Sequence, residues 1–475
     1  MRWHELVSVN LFWLGINLRN NAVGSIFMPY LVALFVAPGI RNTALGEMRT
    51  AGLIIALLAQ PAMGLLSDRS TSRWGRRRPF IFVGVLLDLV FLAFIALSFN
   101  YWTLLVSVLL IQISSNISHG PLQALIPDLV PEGQRGRASA VKAAFELLPL
   151  IVIGLSIAPL VGAGHFDLAV VVTGAALFLL MLLTMVLVKE TPLKEKPDVP
   201  LTPTMIRILG MLAGIGIGAV IGAVAGVVLG GLAGLVTWLL AGEDAAMNVA
   251  VAVGGIIAMV VAVVAGVWAG TLTTIGQEVR KKPSFSWWVI NRLMFLAAVT
   301  SIQGFAPYFF MYAFQVSAEG AASMTGTLIT IVGIFTLLSA LLSGWLSDRL
   351  GQKRLVSLSG LVAALATFAL LGTVWVPRLE LIYVIGSVLG LATGLFMTTN
   401  WALGTRLVPP AEAGRYLGVS NLAGAGAGMI GSGIGGPMAD YLNSSLPGLG
   451  YFVLFAGYGV LFLLSAVSLR GISET

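Results

Sequence analysis

The chain has no cysteine among its 475 residues, which excludes disulfides and thiolate metal or redox chemistry. It has only three histidines, His4, His119 and His165, too scattered to make a histidine metal cluster. Charge is scarce as well: Asp, Glu, Lys and Arg make up 10% of residues, against about 25% in soluble domains. Hydrophobic residues reach 58% and mean hydropathy is +0.96. These values exclude a soluble domain and imply an all-α polytopic membrane protein. There is no nucleophile constellation, phosphate-binding glycine loop or metal cluster, so the sequence supports neither an enzyme nor a cofactor. The first apolar run is long and lacks a small-residue cleavage site, so it reads as a span rather than a cleavable signal peptide.

What is abundant is long apolar runs. Runs near the length of roughly 20 residues needed to cross the hydrocarbon fall at 8–37, 46–66, 79–98, 102–126, 138–162 and 166–188. A linker, KETPLKEKPDVPLTPT, begins at Lys189; two further runs follow at 206–240 and 247–275. Six more lie at 287–314, 322–346, 354–375, 379–404, 414–441 and 449–469. The expectation is fourteen spans: an N-terminal six-helix half (1–188), a linker with an inserted two-helix hairpin (189–286), and a C-terminal six-helix half (287–475). With the N-terminus inside, only Arg41, Arg49 and Arg378 of the 27 basic residues fall outside; Arg19 lies in the first span and the rest sit at inner ends. The net charge of +7 is therefore a positive-inside signature. Both termini are placed in the cytoplasm, the chain in the plasma membrane, and nucleic acid is excluded as a partner.

Two segments recur. GLLSDR at Gly64 returns as GWLSDR at Gly344, and ALIPDLVPEGQRGR at Ala124 returns as ALGTRLVPPAEAGR at Ala402, offsets of 280 and 278 residues. Two unrelated segments in one register indicate duplicated halves. On these features the two six-helix sets resemble the major facilitator superfamily, whose halves are parallel repeats. Within it, QPAMGLLSDRSTSRWGRRRPFI and NISHGPLQALIPDL resemble the loop after helix 2 and the fourth helix of sucrose–proton symporters and their bacterial relatives.

The stretch from Gly64 to Ile81 holds five arginines and one aspartate between apolar runs. Arginines after an inward-running helix hold that end in the cytoplasm. Topology alone requires neither Asp68 nor the glycines. A carboxylate can accept bonds at a helix N-terminus, and arginine forks bind carboxylates bidentately. Such contacts, made in one conformation only, bias one state against another. The resemblance implies this gating role for Asp68, Arg69, Gly75, Arg76 and Arg77, with Asp348 and Arg349 as a shorter second copy.

The fourth span carries Gln112, Asn116, His119 and Gln123 at helical spacing, on one face. Polar side chains in a span face the bundle interior or a watery cavity, so the stripe reads as a cavity wall or as hydrogen bonds between helices. In sucrose symporters the position of Gln112 is a protonatable aspartate and that of Gln123 an arginine. A glutamine carries no proton, so coupling through position 112 is excluded. Arg19, Asp88 and Glu146 are the substitutes: at 1.5 Å per residue both carboxylates lie about 13 Å inside the cytoplasmic end. Each is read as a proton carrier controlled by Arg19 or as a structural ion pair, and Lys142 can neutralise Glu146 instead. Asn20 stands beside Arg19 in NLRNN. In the second half Gln303, Asn400 and Trp401 are candidate substrate contacts, neutral hydrogen-bonding groups and an aromatic face suited to a sugar; ordinary helix packing is the alternative.

Glycines at 210, 214, 218, 222, 226, 230 and 234 form an unbroken four-residue period in the hairpin, a surface for close helix packing or for a dimer contact. The expectation is a secondary active transporter in the lipid bilayer that imports a disaccharide or glucoside with protons, by rocking of two halves about a central cavity. An exporter or facilitator of another small molecule, and a non-transporting sensor or scaffold, are the alternatives.

Overall fold

The computed structural model describes residues 1–190, 192–193, 202–281, 283–408 and 413–473, and the regular elements among them are all helical. A bilayer offers backbone amides no water, and a helix satisfies them within its own segment. In chain order the helices are α1 (Trp3–Asn21), α2 (Met28–Phe35), α3 (Arg41–Asp68), α4 (Arg78–Ala96), α5 (Tyr101–Leu129), α6 (Arg135–Val152), α7 (Ala158–Gly162) and α8 (Phe166–Leu187). They continue with α9 (Thr202–Ala241), α10 (Glu243–Ile275), α11 (Glu278–Lys281), α12 (Ser284–Phe314), α13 (Ala318–Leu350), α14 (Gln352–Ala369), α15 (Leu379–Leu407), α16 (Ala413–Ser445) and α17 (Leu449–Ser468).

Twelve helices among the described residues are long and apolar enough to cross a membrane. The runs at 8–37 and 414–441 are outside that group. The first is diluted by NLRNN and divided into α1 and α2 by a π-helical turn, Ala22–Phe27. The second, in α16, is diluted by glycine, serine and asparagine.

Contacts sort the chain into two compact units, one of residues 1–35, 51–205 and 316–333, the other of 36–50, 206–315 and 334–475. In the first unit α1 packs on α6 and α8, and α4 on α5 and α8. Its core gathers Phe12, Ile16, Ile81, Val85, Leu122 and Leu177. Close approach depends on Gly84, where a Cβ would stand 2.7 Å from Ser118 N, and on Gly120, where it would stand 2.6 Å from Gln60 O. In the second unit α12 is the central helix, packed on α16 and α17, with Phe295 stacked on Phe396 at 3.6 Å.

The hairpin lies in the second unit. Its glycine stripe faces α10, which answers with small residues at the same step: Ala246, Ala250, Gly254, Ala258, Ala262, Gly266 and Gly270. A Cβ at Gly222 would lie 2.7 Å from Ala258 O, at Gly226 2.6 Å from Gly254 O, and at Gly230 2.5 Å from Ala250 O. Each four-residue step overshoots one turn by about 40°, so contact sustained along one partner requires right-handed winding of the pair. Beyond the stripe, α10 packs on α12, α16 and α17. Replacing Gly226 by Leu is expected to destabilise the protein by about 1–3 kcal/mol through overpacking. Val227→Leu, on the exposed face of the same helix, is expected to stay within about 0.5 kcal/mol; thermal unfolding in detergent measures both.

Candidate functional site

Arg19 sits in the last turn of α1, just before the π turn, and reaches Asp88 on α4: Nη2 lies 2.6 Å from Oδ2. Both side chains are buried. Ser114 on α5 donates from its hydroxyl to the other carboxylate oxygen of Asp88. One carboxylate thus ties three helices together. Glu146 is placed differently. It lies 3.4 Å from Lys142 Nζ one turn away on α6, and both side chains are partly exposed, a pair of the kind worth about 0.3–0.5 kcal/mol.

The polar stripe of α5 is divided in its use. Asn116 donates to Gln112 O at 2.7 Å, within its own helix. Gln112 lies against α3, where a Cβ on Gly52 would be 3.1 Å from its Nε2. His119 meets the edge of Trp13 at 5.3 Å between ring centroids, and Lys142 Nζ lies 4.1 Å from the same indole centroid. Gln123 is exposed, and Asn20 is partly buried beside Arg19. Trp13 was missed as a candidate because an aromatic in an apolar run carries no polar signal.

The charged loop folds onto its own unit. Arg77 is buried and reaches Asp68, Asp128 (Nε to Oδ2, 2.9 Å) and Ser67. Arg76 also pairs with Asp128. Glu190, the second residue of the linker, accepts from the backbone N–H groups of Arg77 and Arg78 at 2.9 and 3.3 Å, capping the start of α4. Gly75 has φ +101°, and a Cβ there would strike the Glu190 side chain. Arg69 is partly buried. In the second copy Asp348 and Arg349 are exposed, and Arg349 lies over Trp345 at 4.0 Å. The neighbouring Lys353 donates to Ile472 O at 2.7 Å. Each loop is therefore fastened to the segment that follows the last helix of its repeat. Asp128 stood in a quoted motif and Glu190 in the linker; only the fold shows that they serve the arginines.

In the second unit Asn400 is fully buried. Its carbonyl accepts Trp288 Nε1 at 2.8 Å, its Oδ1 accepts Arg292 Nη1 at 3.2 Å, and its Nδ2 donates to Asn291 Oδ1 at 2.6 Å. Asn291 passes the network to Ser465 on α17. Trp401 is 36% exposed, and the Arg292 guanidinium lies 5.1 Å from its ring centroid. Gln303 is partly buried, and the next residue, Gly304, abuts the guanidinium of Arg49, which enters from α3. Arg41 and Arg49 mark the first turns of α3, and this end of the helix is held by Asp440 of α16. That carboxylate accepts from Asn42 Nδ2, Thr43 N and Thr43 Oγ1, each at 2.7 Å.

The family profile of the Major Facilitator Superfamily matches residues 17–432 and 288–474. Sucrose transport protein SUT1 of Oryza sativa subsp. japonica is 30% identical over 141 residues, 25% of each chain. Proton-associated sugar transporter A of Homo sapiens is 29% identical over 188 residues, 32% of this chain and 24% of that one. The chain thus spans about a quarter of the length of the curated relatives it matches. Among solved structures a D-xylose-proton symporter aligns with TM-score 0.62 at 16% identity, covering 99% of this chain and 97% of that one. A peptide transporter, POT, aligns with TM-score 0.66 at 15% identity, covering 98% and 95%.

Replacing Arg77 by Ala leaves Asp68 and Asp128 without their shared cation. Asp128 keeps Arg76 and Asp68 is half exposed, so the expected loss is about 1–3 kcal/mol of stability, that of the charged hydrogen bonds removed. Arg349→Ala, at the exposed second copy, is expected to cost less than about 1 kcal/mol. Thermal unfolding of the two variants side by side checks the asymmetry.

Proposed function

Because the chain belongs to the Major Facilitator Superfamily, we propose that it is a secondary active transporter that imports a disaccharide or glucoside with protons by alternating access. Its relatives include sucrose transport proteins and a general alpha-glucoside permease, which supports a sugar as substrate. The observation that carries coupling is the buried Arg19–Asp88–Ser114 contact. A carboxylate in the membrane costs at least about 2.5–3.5 kcal/mol unless it is paired or hydrated. Asp88 can therefore exchange the Arg19 partner for a proton during the cycle, with Arg19 steering that exchange. Glu146, already balanced by Lys142, is the second candidate. Fourteen spans, halves at 1–188 and 287–475, a hairpin domain at 189–286, a plasma-membrane location and cytoplasmic termini complete the reading. The basic inner ends and the helical pair α9–α10 support it.

A second reading, a facilitator without coupling, is favoured by Gln112, which stands where the symporters carry a protonatable residue. Uptake of labelled sucrose and maltose into proteoliposomes, with and without an inward proton gradient, separates the two. Coupled import predicts accumulation above equilibrium only with the gradient. Facilitation predicts equilibration that ignores it. Under coupling, Asp88→Asn is expected to abolish accumulation while sugar exchange across the membrane persists. Retained accumulation in both Asp88→Asn and Glu146→Gln would remove these carboxylates from the mechanism.

A further inference from the structure

We propose that the groove walled by α9, α10, α12 and α16 binds one acyl chain of an anionic phospholipid, whose headgroup rests at the basic turn after α10. The site is independent of which solute the protein carries, and all its residues belong to the second unit. Met211 and Ile215 of α9, Gly266 and Gly270 of α10, Leu293 of α12 and Ile430 of α16 line it, and the lining is almost wholly apolar. Its glycines differ from those of the stripe. At Gly222, Gly226 and Gly230 a Cβ would stand 2.7, 2.6 and 2.5 Å from a backbone oxygen of α10, so close packing requires glycine there. At Gly266, Gly270 and Gly426, which face the groove, the nearest atom to a Cβ would be 3.7, 3.8 and 3.9 Å away, an ordinary van der Waals contact. Helix packing would accept a methyl group at these three positions, and the sequence leaves them bare. The result is space rather than contact.

Empty space costs the surrounding side chains their dispersion contacts. Water is a poor occupant, because a buried water needs about two to four polar partners. The nearby hydroxyls are already engaged: Thr271 donates to Val267 O at 2.7 Å and accepts from Ser286, and Thr273 donates to Gly210 O at 3.0 Å. What a bilayer supplies instead is a flexible hydrocarbon chain. The depth agrees. Trp268, between Gly266 and Gly270 in sequence, meets Trp287 of α12 edge-on at 6.4 Å between ring centroids, and indoles favour the headgroup level of a membrane. From that level the groove runs towards Ala262, deeper along α10. On the other side of the indoles, the turn from Gly276 to Ser284 carries Arg280, Lys281 and Lys282 against one carboxylate, Glu278. Arg280 is exposed. Basic residues at a membrane surface attract anionic headgroups. An apolar slot with a cationic edge at one end suits an amphiphile with an anionic head.

The test uses full-length protein in phosphatidylcholine nanodiscs doped with phosphatidylglycerol that carries a photoreactive diazirine in its acyl chain. Adducts are expected on Met211, Ile215 and Leu293, competed by unlabelled phosphatidylglycerol and not by further phosphatidylcholine. Gly426→Leu, whose Cβ meets only the Ile215 side chain, is expected to cut these adducts by about tenfold by filling the groove, with thermal stability retained. Gly270→Ala, a milder filling, is expected to cut them less. Arg280→Gln is expected to keep the adducts and lose the preference for phosphatidylglycerol over an equally labelled phosphatidylcholine. Wild-type adducts spread over exposed residues of α9 such as Val227 and Leu239, and absent from the groove, would mean boundary lipid alone and overturn the assignment. Adducts undiminished in both Gly426→Leu and Gly270→Ala would overturn it too. Equal competition by the two phospholipids in wild-type protein would overturn the anionic headgroup.

Discussion

An ion inside hydrocarbon must be held by protein groups, and much of this structure follows from that constraint. Arg19 and Asp88 are both buried and lie 2.6 Å apart. Their meeting requires α1 to turn Arg19 towards α4, and it requires α5 to come close enough for Ser114 to reach the second carboxylate oxygen. Gly84 permits that approach, since any side chain there would meet the backbone of α5. The wide π turn follows Arg19 within three residues, a local geometry often found where a helix serves a function. A buried pair of this kind contributes little net stability, because desolvation offsets attraction. Its value lies in fixing which helices touch, and in being costly to break without a replacement.

The same constraint is met differently by the two repeats. At the first charged loop, Arg77 is drawn into a network with two aspartates, and Glu190 caps the helix that follows. The second loop keeps Asp348 and Arg349 exposed and fastens itself through Lys353 to the backbone near the chain's end. Each loop is fastened to a segment that follows the helices after it, through a carboxylate in one case and a lysine in the other.

The pair α9–α10 shows what small residues do where no hydrophobic driving force separates helix from lipid. Association there depends on close packing, and glycine facing alanine or glycine at every fourth position provides it. The stripe is occupied by α10, and α10 in turn by α12, α16 and α17, so the pair belongs to one unit. Large apolar side chains of α9, among them Val227, Leu239 and Leu240, are left exposed, a surface suited to lipid.

By itself the sequence determined the membrane class, the helical content, the two recurring segments and the location of the charged loops. Each depends on composition or on spacing along the chain, and neither needs three-dimensional contact to be read. It also placed Arg19 and Asp88 as buried ions, because a charge in an apolar run is conspicuous. Only the tertiary structure decided who meets whom. Glu146 resembles Asp88 in sequence depth, yet its neighbour one turn away balances it at a partly exposed site. Asn400 reads as a substrate contact, but three neighbours from other positions take up its amide and carbonyl and leave Arg292 over Trp401. Asp128, Glu190 and Asp440 gave no signal of their partners, which lie 51 to 398 residues away. Periodicity assigns a side chain to a face of its helix; which neighbour that face meets is set by packing, and packing is a property of the whole fold.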